Sequence, residues 1–197
     1  MNKNTVFVPD AARVSCIELS LEGCDIVVRR GERFGLDGNA VSFAQCGVWH
    51  IRAEAERMTL ILPDNFEAMA FRLKVSGGSA RLCSLNALDI VIRISGGVLV
   101  TEKLSARSIH AELGSGTAEI CAAPILSAFL ECGIGRMNVK LDGVPEDYRI
   151  RTERGIGKLA VSGRETERRT VVGNGQIDVF ARCGMGEMFL GFTDIAL

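Results

Sequence analysis

The sequence contains few aromatic residues and very few prolines. Aromatic residues make up 6% of the 197 residues, with one Trp and one Tyr, and only 4 prolines are present. Hydrophobic residues nevertheless reach 47%, so the chain can bury a sizeable core. Because that core must come from Ile, Val, Leu, Ala and Cys, we expect narrow, repeated layers instead of a thick globular interior.

Neither sign of charge is in excess. The chain carries 23 basic and 24 acidic residues, which gives a formal net charge of −1. A chain without a basic excess lacks the electrostatic attraction that nucleic acids and anionic lipid surfaces require. We therefore expect no nucleic-acid partner.

Long apolar runs are missing. No window reaches 18 apolar residues, and the N-terminal sequence MNKNTVFVPDAARVS has no apolar core that would suit a signal peptide. The C-terminal sequence GEMFLGFTDIAL is apolar but too short to span a bilayer, so we interpret it as a strand or cap. These observations predict no signal peptide and no membrane insertion.

Paired cysteine spacings are missing as well. The chain has 7 cysteines, an odd number, and no C-x-x-C sequence. Cys16, Cys83, Cys121 and Cys132 stand at apolar positions, where a free thiol behaves as a small hydrophobic group. We therefore predict reduced thiols in a cytoplasmic protein, although association with the cell envelope stays open. No histidine stands at ligand spacing to a cysteine pair, so we expect no metal site.

Glycine, in contrast, is abundant and periodic. Glycine pairs occur at Gly77-Gly78, Gly96-Gly97, Gly114/Gly116, Gly133/Gly135, Gly155/Gly157 and Gly173/Gly175. From each pair to the next, the second glycine is displaced by 19, 19, 19, 22 and 18 residues in turn. Runs such as FRLKVSGG and IVIRISGG precede the pairs, and their alternation of apolar and polar residues is typical of β-strands. The repeat therefore predicts units of strand, glycine turn and strand.

The columns of this repeat predict which side chains face the core. Apolar columns before the turn are Phe71, Ile90, Ile109, Ala128; Leu73, Ile92, Ala111, Leu130; and Val75, Ile94, Leu113, Cys132. After the turn, another inward column is predicted from Ala80, Leu99, Ala118, Met137, Leu159 and Ile177. The intervening columns should face outward: Arg72, Val91, His110, Phe129; and Lys74, Arg93, Glu112, Glu131. In the second of these, Arg93 and Glu112 should meet as opposite charges.

The period defines the fold class that we predict. A spacing of 19 residues is too short for a strand–helix–strand unit, so parallel pairing requires one coil per repeat. We predict an all-β fold, namely a single-stranded parallel β-helix or β-solenoid with coils of about 19 residues and irregular terminal caps. The whole chain, 1–197, should form one domain. Within it, 1–60 hold the N-terminal cap and degenerate coils, 61–175 the regular coils, and 176–197 the last coil and C-terminal cap.

The fifth coil departs from the pattern. Its spacing is 22 residues, and Thr152 and Arg154 stand where the columns require apolar side chains. A β-bulge in this coil and a shift of strand register near Pro145 are both open.

One stretch of the sequence also resembles a known family. ILPDNFEAMAFRLKVSGGSARLCSLNALDIVIRISGGVLV is similar to the bacterial putative-adhesin domain family of unknown function, in which a short apolar strand and a proline precede Gly-punctuated strand repeats. Here Leu60-Ile61-Leu62-Pro63 takes the place of the lead-in, and the repeat markers are Ser76-Gly77-Gly78, Ser95-Gly96-Gly97 and Gly114-Ser115-Gly116. The resemblance covers about residues 14 to 180. It implies a β-solenoid and assigns no catalytic residue.

The candidates for chemistry are few. The chain has two histidines, His50 and His110, and we expect His110 on the outer surface between Val91 and Phe129. Ser108 shares its strand face but lies about 7 Å away by the strand rise, too far for a nucleophile–base pair. We predict no catalytic residue and no enzymatic activity.

Cation and phosphate sites are equally weak. The acidic residues Asp25, Asp37, Asp64, Asp89, Asp142, Asp147 and Asp178 form no outward column of three. Asp142 and Asp147 share one return loop, which we interpret as ordinary loop polarity. The glycines of 114–116 and 155–157 precede strands, whereas a dinucleotide-binding loop precedes a helix. The arginines Arg164, Arg168 and Arg169 alternate with acidic residues. We predict no cofactor, and neither cofactor-binding nor metal-binding residues.

These features predict a non-catalytic, adhesin-like binding or scaffold protein. The expected partner is another protein or a polysaccharide along a solenoid face, or a second copy of the chain. One alternative is a carbohydrate-active enzyme of the parallel β-helix type, which needs two carboxylates within about 10 Å of each other. Another is a self-polymerising cytoskeletal solenoid, which the irregular terminal segments disfavour.

Overall fold

The computed structural model describes residues 8–10, 13–54 and 57–194, and the predictions for the extreme termini (1–7 and 195–197) lie outside them. In the described residues, sixteen strands belong to one sheet, and a short 3₁₀ turn at Pro145–Asp147 is the helical element that interrupts them. The first eight strands are β1 (Cys16–Gly31), β2 (Gly35–Asp37), β3 (Val41–Gln45), β4 (Val48–Glu54), β5 (Arg57–Pro63), β6 (Ala68–Leu82), β7 (Leu85–Thr101) and β8 (Leu104–Leu113). The others are β9 (Thr117–Cys132), β10 (Arg136–Leu141), β11 (Tyr148–Arg154), β12 (Lys158–Val161), β13 (Arg164–Glu165), β14 (Arg169–Val172), β15 (Ile177–Cys183) and β16 (Glu187–Phe192).

The prediction of an all-β fold with mainly parallel pairing is confirmed. Strand β6 pairs in parallel with β1 on one side and with β7 on the other. Residues 19 positions apart lie opposite each other, as Leu73 and Ile92 do across β6 and β7. The described residues contain no helix that is long and apolar enough to cross a membrane.

The predicted inward columns form the core. Each of the twelve side chains in the three columns before the turn is at most 3% exposed. The outward columns are partly or fully exposed, since β-strand side chains alternate between the two faces. The alternation in the sequence therefore predicted the two faces of these strands correctly.

The spatial order of strands at the N-terminal end differs from the order along the chain. Strand β1 pairs with β4 and β5 on one side and with β6 on the other. Residues 48–54 and 57–63 therefore lie outside residues 16–31 in the sheet, although they follow them in sequence. Strands β3 and β2 then pair antiparallel with β4 and β5, and they form the outermost strands at this end.

At the C-terminal end, too, the spatial order of the strands differs from their order along the chain. Strands β15 and β16 lie between β9/β10 and β11/β12, to which they pair in parallel. Strands β14 and β13 pair antiparallel with β11 and β12 at the outside. The chain thus fills the outer position first, turns back through two antiparallel strands, and ends in the inner position.

This order corrects the last member of one predicted column. Ile177 lies opposite Tyr148, whereas Met188 lies between Met137 and Leu159 in the column beyond the turn. The prediction for Ile177 was wrong because it assumed that segments consecutive in sequence are also neighbours in the sheet. The last glycine of the predicted repeat is corrected in the same way. Gly186, and not Gly175, packs against Gly135 and Gly157.

The fifth coil contains neither of the two irregularities considered for it. Strand β11 pairs with β15 over its whole length without a register break, with Thr152 opposite Ala181 and Arg154 opposite Cys183. The 3₁₀ turn at Pro145–Asp147 precedes the strand and accommodates the longer spacing. Thr152 keeps its inward position because its hydroxyl donates a hydrogen bond to the Thr170 carbonyl at 3.2 Å.

Tyr148 anchors the start of β11. Its side chain is 1% exposed, and its hydroxyl donates a hydrogen bond to the carbonyl oxygen of Asp142. Burial, together with the nearby carboxylates of Asp142 and Asp147, raises the pKa of Tyr148 to about 12.

We expect this pKa to be visible directly, because Tyr148 is the chain's one tyrosine. Absorbance at the tyrosinate wavelength should titrate with a midpoint of about 12, against about 10 for free tyrosine. The folded state binds this proton more tightly than the unfolded state, so the stabilisation is complete below pH about 10 and is lost as the pH rises to about 12. Chemical denaturation of wild type and Tyr148→Phe should show a smaller alkaline loss in the variant. A midpoint near 10 in the folded protein would contradict the burial of this hydroxyl.

Candidate functional site

One outer face of the sheet carries a continuous row of side chains, which we call the central row. In spatial order its members are His50, Glu18, Arg72, Val91, His110, Phe129, Phe180 and Arg151. Phe43 on β3 and Val171 on β14 extend it at the two ends. Because neighbouring strands lie about 4.8 Å apart, these ten positions span about 43 Å.

Half of the ten positions in this row carry aromatic rings. Phe43 stacks on His50 with ring centroids 4.8 Å apart, and His110 packs against Phe129 at 4.7 Å. Phe129 in turn stacks on Phe180 at 5.1 Å. Phe43 is 52% exposed, so the row offers a flat, partly apolar surface to solvent.

Two cavities lie side by side along the central row. The first, of about 590 Å³, is lined by residues that include Arg72, His110, Phe129, Phe180 and Arg151. The second, of about 540 Å³, lies around His50 and Phe43. Both are lined by Arg72 and Val91, so they form one groove along the face. Both are open to solvent along the sheet face and are not enclosed.

A second row, on one side of the central row, is rich in hydroxyls and carboxylates, and we call it the hydroxyl row. It consists of Asp89, Ser108, Ser127, Asp178 and Arg149. The Ser127 hydroxyl lies 3.5 Å from that of Ser108. Arg149 donates two hydrogen bonds to Asp178, of 2.7 and 2.8 Å, and these bonds lower the pKa of the Asp178 carboxyl.

A third row, the charged row, lies on the other side. Its members are Arg52, Ser20, Lys74, Arg93, Glu112, Glu131, Arg182 and Glu153. The predicted meeting of opposite charges is confirmed, since Arg93 Nε lies 3.0 Å from Glu112 Oε2. Further along, Arg182 lies 3.6 Å from Glu131. Such exposed pairs contribute little to stability, about 0 to 1 kcal/mol each.

The two histidines occupy similar surroundings within the groove. His50 Nδ1 lies 3.1 Å from Glu18 Oε2, and His110 Nε2 lies 2.7 Å from Glu112 Oε1. The predicted outward position of His110 between Val91 and Phe129 is confirmed. Its ring nitrogen contacts a carboxylate, while Ser108 has the hydroxyl of Ser127 as its neighbour. This arrangement presents hydrogen-bonding groups beside an aromatic surface, which suits ligand binding.

The other sequence candidates lie away from the groove. The Asp142 carboxylate accepts a hydrogen bond from Lys103 at 2.7 Å, which holds the pKa of Asp142 below its usual value. Asp147 accepts one from the backbone of Val144 at 3.2 Å. Within the described residues, no three His, Cys, Asp or Glu side chains converge as metal ligands.

The cysteines are all free thiols, as the sequence predicted. Cys132 and Cys183 lie opposite each other in the core. Burial is the main cause that raises the pKa of Cys132 to about 11. A thiol with this pKa and 0% exposure is a poor nucleophile.

The outward columns predicted from the sequence contain only about half of the residues along the groove. Strand β15 contributes Phe180, Arg182 and Asp178 to this face. The glycine repeat predicts this strand in the last coil, at the end of the fold. The sequence does contain a signal that β15 lies beside β9. The sequence FARCGMGEM at 180–188 matches FLECGIGRM at 129–137 in spacing and in most residue types. His50 and Glu18 have no such signal, since their segments lack a clean period.

The comparisons with known proteins add little to this picture. No family model matches the chain, and no curated protein does. The chain is similar to a solved structure described as a putative cell adhesion protein from Clostridium sporogenes, with 13% identity, 95% of this chain and 97% of that chain covered, and a TM-score of 0.49. A likeness this distant carries no argument. The resemblance to the adhesin-like family therefore stays a prediction.

Proposed function

We propose that the chain is a non-catalytic binding protein built as one β-solenoid domain, and that the groove along the central row is its ligand surface. The observation that carries this proposal is the continuous groove, in which the central row, with its aromatic rings, lies between the hydroxyl row and the charged row. The single-domain solenoid is supported by one hydrophobic core that extends from Val14 to Phe192.

The kind of ligand follows from what a sheet face can offer. The backbone N–H and C=O groups of the inner strands are used in the ladders, so a ligand on this face meets side chains only. Adding a peptide strand requires an exposed sheet edge, which this face does not provide. A saccharide suits the groove better, because the C–H faces of its rings can pack on Phe129 and Phe180 while its hydroxyls reach Ser108, Ser127 and Asp89.

Truncating two phenylalanines of the central row should weaken binding. We expect the wild-type chain to be retarded in native gels that contain a polysaccharide from a panel of neutral and acidic polymers. Phe129→Ala/Phe180→Ala should lose at least about tenfold in affinity, because two ring faces are removed from the groove. Val98→Ala, an exposed apolar residue on the other face of the fold, is the matched control. Retardation that is the same in all three proteins, or retardation by no polymer, would overturn the proposal.

A glycan-cleaving enzyme is the second candidate, and one observation favours it. Glu112 and Glu131 lie opposite each other in the charged row, so two carboxylates face the same side of the sheet. Hydrolysis of a glycosidic bond uses such a pair. Release of reducing ends from any polymer that binds, and its loss in Glu112→Gln/Glu131→Gln, would favour the enzyme. We expect no such release.

A further inference from the structure

The charges along the groove are not evenly distributed. The 540 Å³ cavity is lined, among the described residues, by four basic side chains and one carboxylate: Arg52, Arg72, Lys74, Arg93 and Glu18. The 590 Å³ cavity next to it is balanced, with Arg72 and Arg151 against Asp89 and Asp178. One half of the groove is therefore basic, although the chain as a whole has a net charge of −1.

The basic half places side chains of like charge on neighbouring strands of the sheet. Lys74 lies opposite Arg93 in parallel register, and Ser20 separates Lys74 from Arg52. Like charges opposite each other destabilise a sheet. An anion bound between Arg52 and Lys74 would lower the electrostatic repulsion among these basic side chains.

Two of the four basic groups are available for such an anion. Arg72 is paired with Glu18 at 2.7 Å and Arg93 with Glu112 at 3.0 Å. In the part of the chain that the structure describes, Arg52 and Lys74 form no salt bridge with any carboxylate. Glu22 and Glu54 lie opposite each other nearer the glycine turn and do not line the cavity.

We propose that Arg52 and Lys74, with Arg93 beside them, form a subsite for the carboxylate or sulfate group of an acidic saccharide. This inference rests on the proposed function, since it assigns a charge class to the ligand of the same groove. The rest of the saccharide extends past Arg72 and Val91 into the aromatic cavity. There its rings lie on Phe129 and Phe180, and its hydroxyls face the hydroxyl row.

A saccharide fits these observations better than other polyanions. A nucleic acid would require a basic field along its whole track, whereas the second cavity carries as many carboxylates as arginines. A run of Asp and Glu, as in polyglutamate, would offer no flat apolar face to the rings of the central row. A sugar acid has both an anionic group and a C–H face within one unit.

The test compares two double variants with the same change in charge. Arg52→Ala/Lys74→Ala removes the subsite. Arg81→Ala/Lys140→Ala is the control, because both residues are exposed, and Arg81 belongs to the same strand as Lys74 but faces the other side. The full-length proteins are run in native gels containing polygalacturonate, heparin, neutral dextran or neutral xylan. We expect the first variant to bind the acidic polymers about tenfold more weakly than wild type, a change of about 1.4 kcal/mol, and the control to match wild type.

The outcomes separate this inference from the function on which it rests. Equal losses in the two double variants would mean unspecific attraction and would overturn the subsite. Binding of polyglutamate or of a single-stranded oligonucleotide as strong as that of polygalacturonate would overturn the saccharide assignment. Binding of neutral polymers alone, lost in Phe129→Ala/Phe180→Ala, would refute the acidic subsite and leave the proposed function standing. Binding of no polymer would refute both.

Discussion

Gly116→Ala should destabilise the protein by about 3 kcal/mol or more. Gly116 has a φ of +100°, which alanine adopts only with strain, and an added Cβ would lie 2.0 Å from the carbonyl oxygen of Gly97. Strain of this backbone type and overpacking each cost about 1 to 3 kcal/mol. The neighbouring glycine turn cannot move away, because Gly97 itself packs in the same manner on Gly78. Urea denaturation followed by far-ultraviolet circular dichroism measures the loss.

Gly191→Ala is the matched control. Gly191 also lies in a strand, but an added Cβ meets no atom within 4 Å there. Alanine loses less conformational entropy than glycine on folding, so this variant should be unchanged or more stable by about 0.5 kcal/mol. If the two variants had the same denaturation midpoint, the close stacking of glycine turns would be refuted.

Leu130→Ala should cost about 3 to 5 kcal/mol, toward the upper end for such truncations. Leu130 is 0% exposed, and its neighbours in the column are Ala111 on one side and Ala181 on the other. Because neither alanine can extend into the space, the cavity left by the leucine side chain stays largely unfilled. Thermal and urea denaturation of the purified variant would give the change in free energy of unfolding.

Ile125→Ala provides the comparison for this truncation. Ile125 belongs to the same strand, β9, but is 69% exposed. Removing an exposed apolar side chain changes stability by less than about 0.5 kcal/mol. A loss for Leu130→Ala no larger than that for Ile125→Ala would contradict the packing of the inward columns.

The strands at the two ends of the sheet are arranged in a way that opposes end-to-end self-association. Strands β2, β3, β13 and β14 pair antiparallel with the outermost parallel strands, so a further strand added at either end would not continue the parallel pairing. Irregular or reversed edge strands of this kind commonly oppose edge-to-edge association. A self-polymerising solenoid stays a prediction that electron microscopy at high protein concentration would test.

Much of the candidate site followed from the sequence. The columns that contain His110, Phe129, Arg93 and Glu112 were predicted to face outward and to lie side by side, and the structure places them so. The groove as a whole was not predicted. Its continuation through Phe180 depends on a strand that is 51 residues from Phe129 in the chain.

The sequence by itself determined the period, the alternation and the inward columns. These features are local, because a pleated strand sends successive side chains to opposite faces whatever its neighbour is. Only the tertiary structure decided the order of the strands at the two ends, and with it the full length of the groove. Several segments have the same alternation and could pair with the same edge, so partner choice depends on packing over the whole sheet. That choice placed β15 beside β9, and it brought Phe180 and Asp178 to the surface that we propose binds a ligand.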